Sequence, residues 1–420
     1  MASSSSSSTI VLIILSVSSF VSIETTESIY GKCDNPDHTF NCSGVGLLEI
    51  PGGEHIPSYM ETLDLSNNHI SNISFLNYPT LSSSLSKLNL SNNQIYIVKK
   101  DAFKLLTNLV TLDLSNNLIF GPDLDESMFY DLKKLQYLIL EKNPIRHIKK
   151  DTFTFMELPA VRYFDLSHCE ISELEAGSLD LPSLEHLDLS WNKLQNFKSD
   201  SFRMLVNLQT LDMSHNRITV LEQVPHMPEL IIWILDNNGM ERIAIRDDLI
   251  DFTDSLQKLY LRNNDIKRFD AESLPLDDLD SLQVIDMSNN KLKCDCKMRW
   301  IRSDDYDLKG KNYTFMCESP SNVRNNNLLE MAPEDLKCGT SLAKILFIVV
   351  VSTVGALALM LIIFFVIRRR RRRKLKRKAA RGDSGGDYAA VYARDEDDVR
   401  ISLPDKNHLL ENESDREFDV

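Results

Sequence analysis

The sequence predicts an α/β repeat fold: a solenoid with a curved parallel sheet, cysteine-rich caps, one membrane-spanning helix and a disordered tail. Three observations carry this. A nine-residue apolar pattern returns ten times between residues 60 and 290. Cysteines cluster on either side of that array. An uncharged segment of 23 residues, Ile345–Ile367, runs directly into a block of arginines.

The pattern is LxxLxLxxN. It fits Met60–Asn68, Leu85–Asn93, Leu109–Asn117, Leu135–Asn143 and Val161–Cys169, then Leu184–Asn192, Leu208–Asn216, Leu230–Asn238, Leu256–Asn264 and Leu282–Asn290. Successive terminal Asn or Cys residues are 22 to 26 residues apart. In each LxL an outward residue separates two leucine-like positions, so a short strand buries one face and displays the other. One strand cannot bury its own leucines; stacked neighbours can, which makes a continuous core. The Asn falls where the chain leaves the sheet, and its amide can satisfy backbone groups stranded by the bend. Phe103, Phe129, Phe153 and Phe202 recur on the returning segments as a second apolar column. The pattern resembles the leucine-rich-repeat family, whose period is about 20–29 residues. That family accepts Cys at the Asn position, which makes Cys169 a buried structural thiol.

Six further cysteines lie outside the repeats. Cys33 and Cys42 precede them, giving a cap over residues 24–59. Cys294, Cys296, Cys317 and Cys338 follow, giving a cap over residues 291–340. A solenoid end exposes its core, so capping is a physical need. Four cysteines allow three pairings, and a zinc site is disfavoured by the Cys-x-Cys spacing and the secreted setting. The run Asn290–Cys296 with Trp300 resembles the C-terminal cysteine-rich cap of extracellular leucine-rich-repeat proteins. That resemblance implies Cys294–Cys317 and Cys296–Cys338, with Cys33–Cys42 at the other end.

Two apolar segments set the expected topology. Residues 1–23, with the run Thr9–Leu15, read as a signal peptide that lacks the usual basic start. Residues 345–367 are long enough to span a bilayer. The basic block that begins at Arg368 places residues 368–420 in the cytoplasm, in a type I arrangement at the plasma membrane or in endosomes. Cys338 lies seven residues before Ile345, which leaves little stalk.

Composition narrows the function. The net charge is −14, although 11 of the 47 basic residues lie between Arg368 and Arg381. No broad basic face is left for nucleic acid. The sequence carries no phosphate loop, zinc-protease or nucleophile-elbow motif. No enzyme, metal or cofactor is expected; a surface that binds an extracellular protein or glycan is.

Sequons at Asn41, Asn72, Asn89 and Asn312 are candidate glycosylation sites. Asn89 points out of the concave sheet, which moves a contact toward later repeats. Six aspartates among the outward strand residues form an acidic ladder suited to a basic partner, though LDLS is also a common form of the repeat. More telling departures are Tyr137, Ile139, Tyr163, His186 and Trp191, with a second group at Ile232, Ile234 and Tyr260. Exposed aromatics on a rigid surface suit an interface. In the tail, Asp405, Leu409 and Leu410 resemble an acidic dileucine signal read by clathrin adaptors. Tyr388 resembles a tyrosine-based endocytic signal, and Phe418–Val420 could add to a PDZ-domain sheet edge. The closing residues Arg416–Val420 also resemble the start of a Toll-type signalling domain. The expected role is a receptor or adhesion protein, the alternative a Toll-like pattern receptor or decoy without its signalling domain.

Overall fold

The structure, a computed structural model, describes residues 31–124, 128–154, 158–197, 199–222, 227–245, 255–274, 276, 281–303, 308, 310–338 and 342–379. The signal segment and the tail motifs at Tyr388, Asp405, Leu409 and Leu410 lie outside these residues. Two compact units divide the chain, residues 1–339 and 340–420.

Twelve short parallel strands form one sheet in chain order, from Thr39–Asn41 to Asn312–Thr314. Ten of them coincide with the ten motif matches, and the flanking cap regions add one strand each. The rungs are numbered here by motif. Pairing is in register throughout, so Tyr137, Tyr163 and His186 stand beside one another, as do Leu138, Phe164 and Leu187. The middle residue of each strand is buried and its two neighbours face outward. This is the alternation that the LxL spacing demands.

The returning side differs from an α/β layer in detail. Among the described residues it carries two-residue strand pairs, such as His147–Ile148 with Glu173–Leu174, and 3-10 turns such as Gly121–Asp123. Rungs of 22 to 26 residues leave little chain for a helix after the motif has been built. A Cβ at Gly121 would collide with the Ile145 and His147 carbonyl oxygens of the next rung, so the close approach requires glycine. Phe103, Phe129 and Phe153 stack at 6.3 Å intervals along this side. Phe202 is also buried but packs on Phe197, because Leu179 takes the place beside Phe153.

A ladder of buried amides runs between the sheet and the returning side. In rung four, Asn143 Nδ2 donates to Leu140 O and to Leu114 O of the preceding rung, both at 2.9 Å. Its Oδ1 accepts the Ile119 N–H at 2.9 Å. The other eight motif asparagines repeat the donation to the preceding rung, from Asn68 at Cys42 O to Asn290 at Leu261 O. Cys169 holds the remaining place, with its Sγ 3.1 Å from Leu140 O. It offers no amide oxygen, and the Ile145 N–H turns to Asn143 O instead. Burial pushes the Cys169 thiol up to about 12, so it stays protonated.

The three disulfides are Cys33–Cys42, Cys294–Cys317 and Cys296–Cys338. They are the pairings implied by the resemblance. In the second unit, Leu342–Ala379 is one helix of 38 residues, about 57 Å long. Its most apolar stretch has mean hydropathy 2.9, and by length and composition it can cross a bilayer.

Asn143→Ala strands three buried backbone groups, whereas Cys169→Ala removes one weak donor. The first should cost about 3 kcal/mol and the second about 1 kcal/mol. Denaturation midpoints of the full chain read this; equal losses would contradict the ladder's role.

Candidate functional site

The concave sheet of rungs four to seven presents three parallel rows. The first stands at the strand starts. Tyr137 and Tyr163 lie 6.1 Å apart between ring centroids, and Tyr163 and His186 lie 6.4 Å apart. Tyr137 is 44% exposed.

The second row is acidic. Asp165, Asp188 and Asp212 face each other in register, with Ile139 at the same position of rung four. Each aspartate uses Oδ1 to accept the N–H of the serine two residues on, at 2.8–2.9 Å. This accounts structurally for the repeated LDLS. Burial raises the Asp165 pKa, with Asp188 and Glu141 adding to it against the Ser167 hydrogen bonds. Burial likewise raises Asp212, helped by Asp188 and Asp236. Burial and the same anions, Asp165 and Asp188 foremost, raise Tyr163.

The third row lies where each strand turns out of the sheet. The residue before the motif Asn or Cys has a left-handed backbone in all ten rungs, with φ between 51° and 57°. Six of these residues are Asn, the type best suited to that conformation. Rung four carries Lys142, and rungs five to seven carry His168, Trp191 and His215. Their rings stack: His168–Trp191 at 5.0 Å and Trp191–His215 at 3.7 Å, within 10° of parallel. Trp191 remains 52% exposed.

Tyr137, Tyr163 and His186 are therefore brought together, while Trp191 belongs to a separate row beyond the aspartates. Sequence reasoning did not single out His168 and His215. The signal was present as a departure from Asn at the eighth motif position. Ile234 and Tyr260 pair in register in rungs eight and nine. Tyr260 lies 5.2 Å beneath the Arg262 guanidinium, which is bound to the buried Asp236. That second group is thus partly covered by its own neighbours.

The sequon asparagines are distributed unevenly. Asn41 and Asn89 lie in the same outward row as Asp64, at the first rungs. Asn312 is on the last strand, opposite Val284. Asn72 is exposed on the returning side, in the pair Asn72–Ile73 with Ile97–Val98. The sheet of rungs four to seven is free of them.

Family profiles described as leucine rich repeat match residues 122–171 and 159–218, and another matches residues 57–73. The repeats are leucine-rich repeats. The chain is 32% identical over 196 residues to Transforming growth factor beta activator LRRC33 of Danio rerio, covering 38% of this chain and 28% of that protein. It is 27% identical to keratocan of Bos taurus, covering 56% and 63%. Trophoblast glycoprotein of Macaca fascicularis is 25% identical over 358 residues, 78% of this chain and 73% of that protein. The chain thus spans under two thirds of the first two relatives. A chain from the octameric complex of Latrophilin 3, Unc5D and FLRT2 has the same fold, with a TM-score of 0.59 at 23% identity, covering 73% of this chain and 99% of that one.

The left-handed position favours Asn over Trp, while the two stacking contacts favour Trp. These effects are each about 1 kcal/mol and opposed. Trp191→Asn should therefore leave the unfolding midpoint of the full chain almost unchanged. A large loss would make Trp191 a structural residue and remove it from the site.

Proposed function

We propose that the chain is a single-pass type I cell-surface receptor or adhesion protein that binds an extracellular protein through the concave face of rungs four to seven. The observation that carries this is the sandwich of an acidic row between two exposed aromatic rows on a rigid sheet. Trp and Tyr are the side chains that dominate protein interfaces. The acidic row between them selects a partner presenting Lys or Arg, by charge complementarity. Glycans at Asn41, Asn89 and Asn312 would guard the two ends of the sheet and leave its centre open. The fold neighbour comes from a complex with two other proteins, and a macromolecular ligand is the corresponding reading here.

The arginine block beside the apolar helix supports a cytoplasmic tail. The tail is proposed to act through borrowed partners. Clathrin adaptors at Leu409 and Leu410 are the first candidates.

Proximity labelling on intact cells that display the full chain should mark host surface proteins. Joint replacement of Tyr137, Tyr163 and Trp191 by Ala should remove that labelling at unchanged surface level. Unchanged labelling would refute the face; microbial components in place of host proteins would favour the pattern-receptor alternative.

Acidity should weaken the contact. The raised carboxyls of Asp165 and Asp212 take up protons at higher pH than ordinary aspartates. Their attraction for a cation is complete above the raised values and fades as pH falls through them. Partner dissociation followed from pH 7 downward should accelerate; a flat profile would show that the acidic row makes no contact.

A further inference from the structure

Away from the concave sheet, the turn side of rungs eight to ten and the C-terminal cap enclose an open groove of about 800 Å³. Five cations line it: Arg242, Lys267, Arg268, Lys291 and Lys293. Among the described residues only two carboxylates, Glu241 and Glu318, share the lining. This is a local reversal in a chain whose net charge is −14.

The repeat sets the cation spacing. Arg242 begins one short strand, and Lys293 ends another, Leu292–Lys293, two rungs later. Arg242 and Arg268 hold equivalent places in successive rungs, as do Lys267 and Lys293. Neighbouring rungs are about 4.8 Å apart. The result is a lattice of positive groups over the length of a few sugar rings.

The carboxylates near these cations hold them loosely or from outside the groove. Lys267 reaches Glu241 at 4.0 Å and Arg242 reaches Glu222 at 3.0 Å, both between exposed side chains. Lys291 pairs with Asp265 at 2.6 Å, also with both partners exposed. Such pairs contribute little in water and exchange readily for another anion. Glu318 is engaged by Arg324 at 2.7 Å. Asp295 is different: it is buried, caps the turn Cys296–Arg302 through the Lys297 N–H, and fixes Arg268. Lys293 stands 3.6 Å from the same carboxylate. The Nε–H of Arg268 is buried and has no acceptor among the described residues. A buried donor without an acceptor is unfavourable, and an oxyanion reaching it would remove that penalty.

We propose that this groove binds a sulfated glycan chain. Its volume lies within the range of about 300–1,000 Å³ usual for ligand clefts. Every lining residue among the described ones is polar or charged. A docked protein would need apolar or aromatic anchors, and the lining supplies none. Sulfate groups on a hydroxylated chain match rows of Lys and Arg, with Asn289 and Ser319 available to hydroxyls. The site is separate from the aromatic face of rungs four to seven, so either can fail without the other.

The test is the affinity of a fluorescent heparin decasaccharide for the purified full chain in neutral-lipid nanodiscs at physiological salt. Replacing Lys267, Lys291 and Lys293 together by Ala should weaken binding by about tenfold or more. Replacing the same three by Arg should preserve it, and both variants should keep the native unfolding midpoint. Chemically desulfated heparin should not bind. The proposal is overturned if the Ala variant loses less than about threefold, since binding would then reside elsewhere, the Arg368–Arg373 block included. It is equally overturned if heparin does not bind, or if a sulfotyrosine peptide binds more tightly than the glycan.

Discussion

The fold depends on one interaction: a buried side-chain amide that ties each rung to the one before it. Every turn out of the sheet leaves carbonyl and N–H groups inside an apolar solenoid, where no water can reach them. The motif Asn answers both needs, donating to its own rung and the preceding one and accepting a backbone N–H. This is why the Asn recurs more strictly than the leucines, which vary among Leu, Met, Ile, Val, Phe and Trp. Apolar burial is tolerant of shape within limits, whereas an unpaired buried backbone group is not tolerated. Cys169 shows the limit of that rule. A thiol supplies one weak donor, and the chain reroutes the Ile145 N–H to compensate.

The same turn imposes a left-handed residue beside each Asn, and so marks where sequence serves something besides folding. Asn is the low-strain choice there. Four consecutive rungs, four to seven, abandon it for Lys142, His168, Trp191 and His215, and the three rings form one stack. The opposite edge of the same rungs carries Tyr137, Tyr163 and His186. A scaffold whose positions are otherwise near-identical repeats thus changes character over one stretch, on both sides of its acidic row. The basic groove at rungs eight to ten is a second such departure, on another side of the coil.

The solenoid was legible because its information is local and repeated: ten copies of one pattern average out individual substitutions. The disulfides followed from the cap's resemblance, and the structure agrees. The acidic ladder was harder. Only the Asp165–Ser167, Asp188–Ser190 and Asp212–Ser214 hydrogen bonds show that half of each carboxyl is already committed to the turn. The stacking of His168 and His215 on Trp191 was missed because it joins residues 23 and 24 apart, through a backbone conformation invisible in composition. The groove cations escaped notice for a similar reason. Arg242, Lys267, Arg268, Lys291 and Lys293 form no run in sequence and meet only when rungs stack.

Nature's own variant at rung two suggests the decisive measurement. Asn89 occupies the aspartate position there and creates a sequon without disturbing the turn, since it accepts the Ser91 N–H just as Asp188 accepts that of Ser190. Asp188→Asn should therefore install a glycan at the centre of the proposed face while keeping the fold. Asp64→Asn, between Asn41 and Asn89, places one at its margin. Binding of the host-cell partner captured by proximity labelling should be lost with the first glycan and retained with the second, at equal surface display. Full binding with a glycan in place at residue 188 would contradict the account.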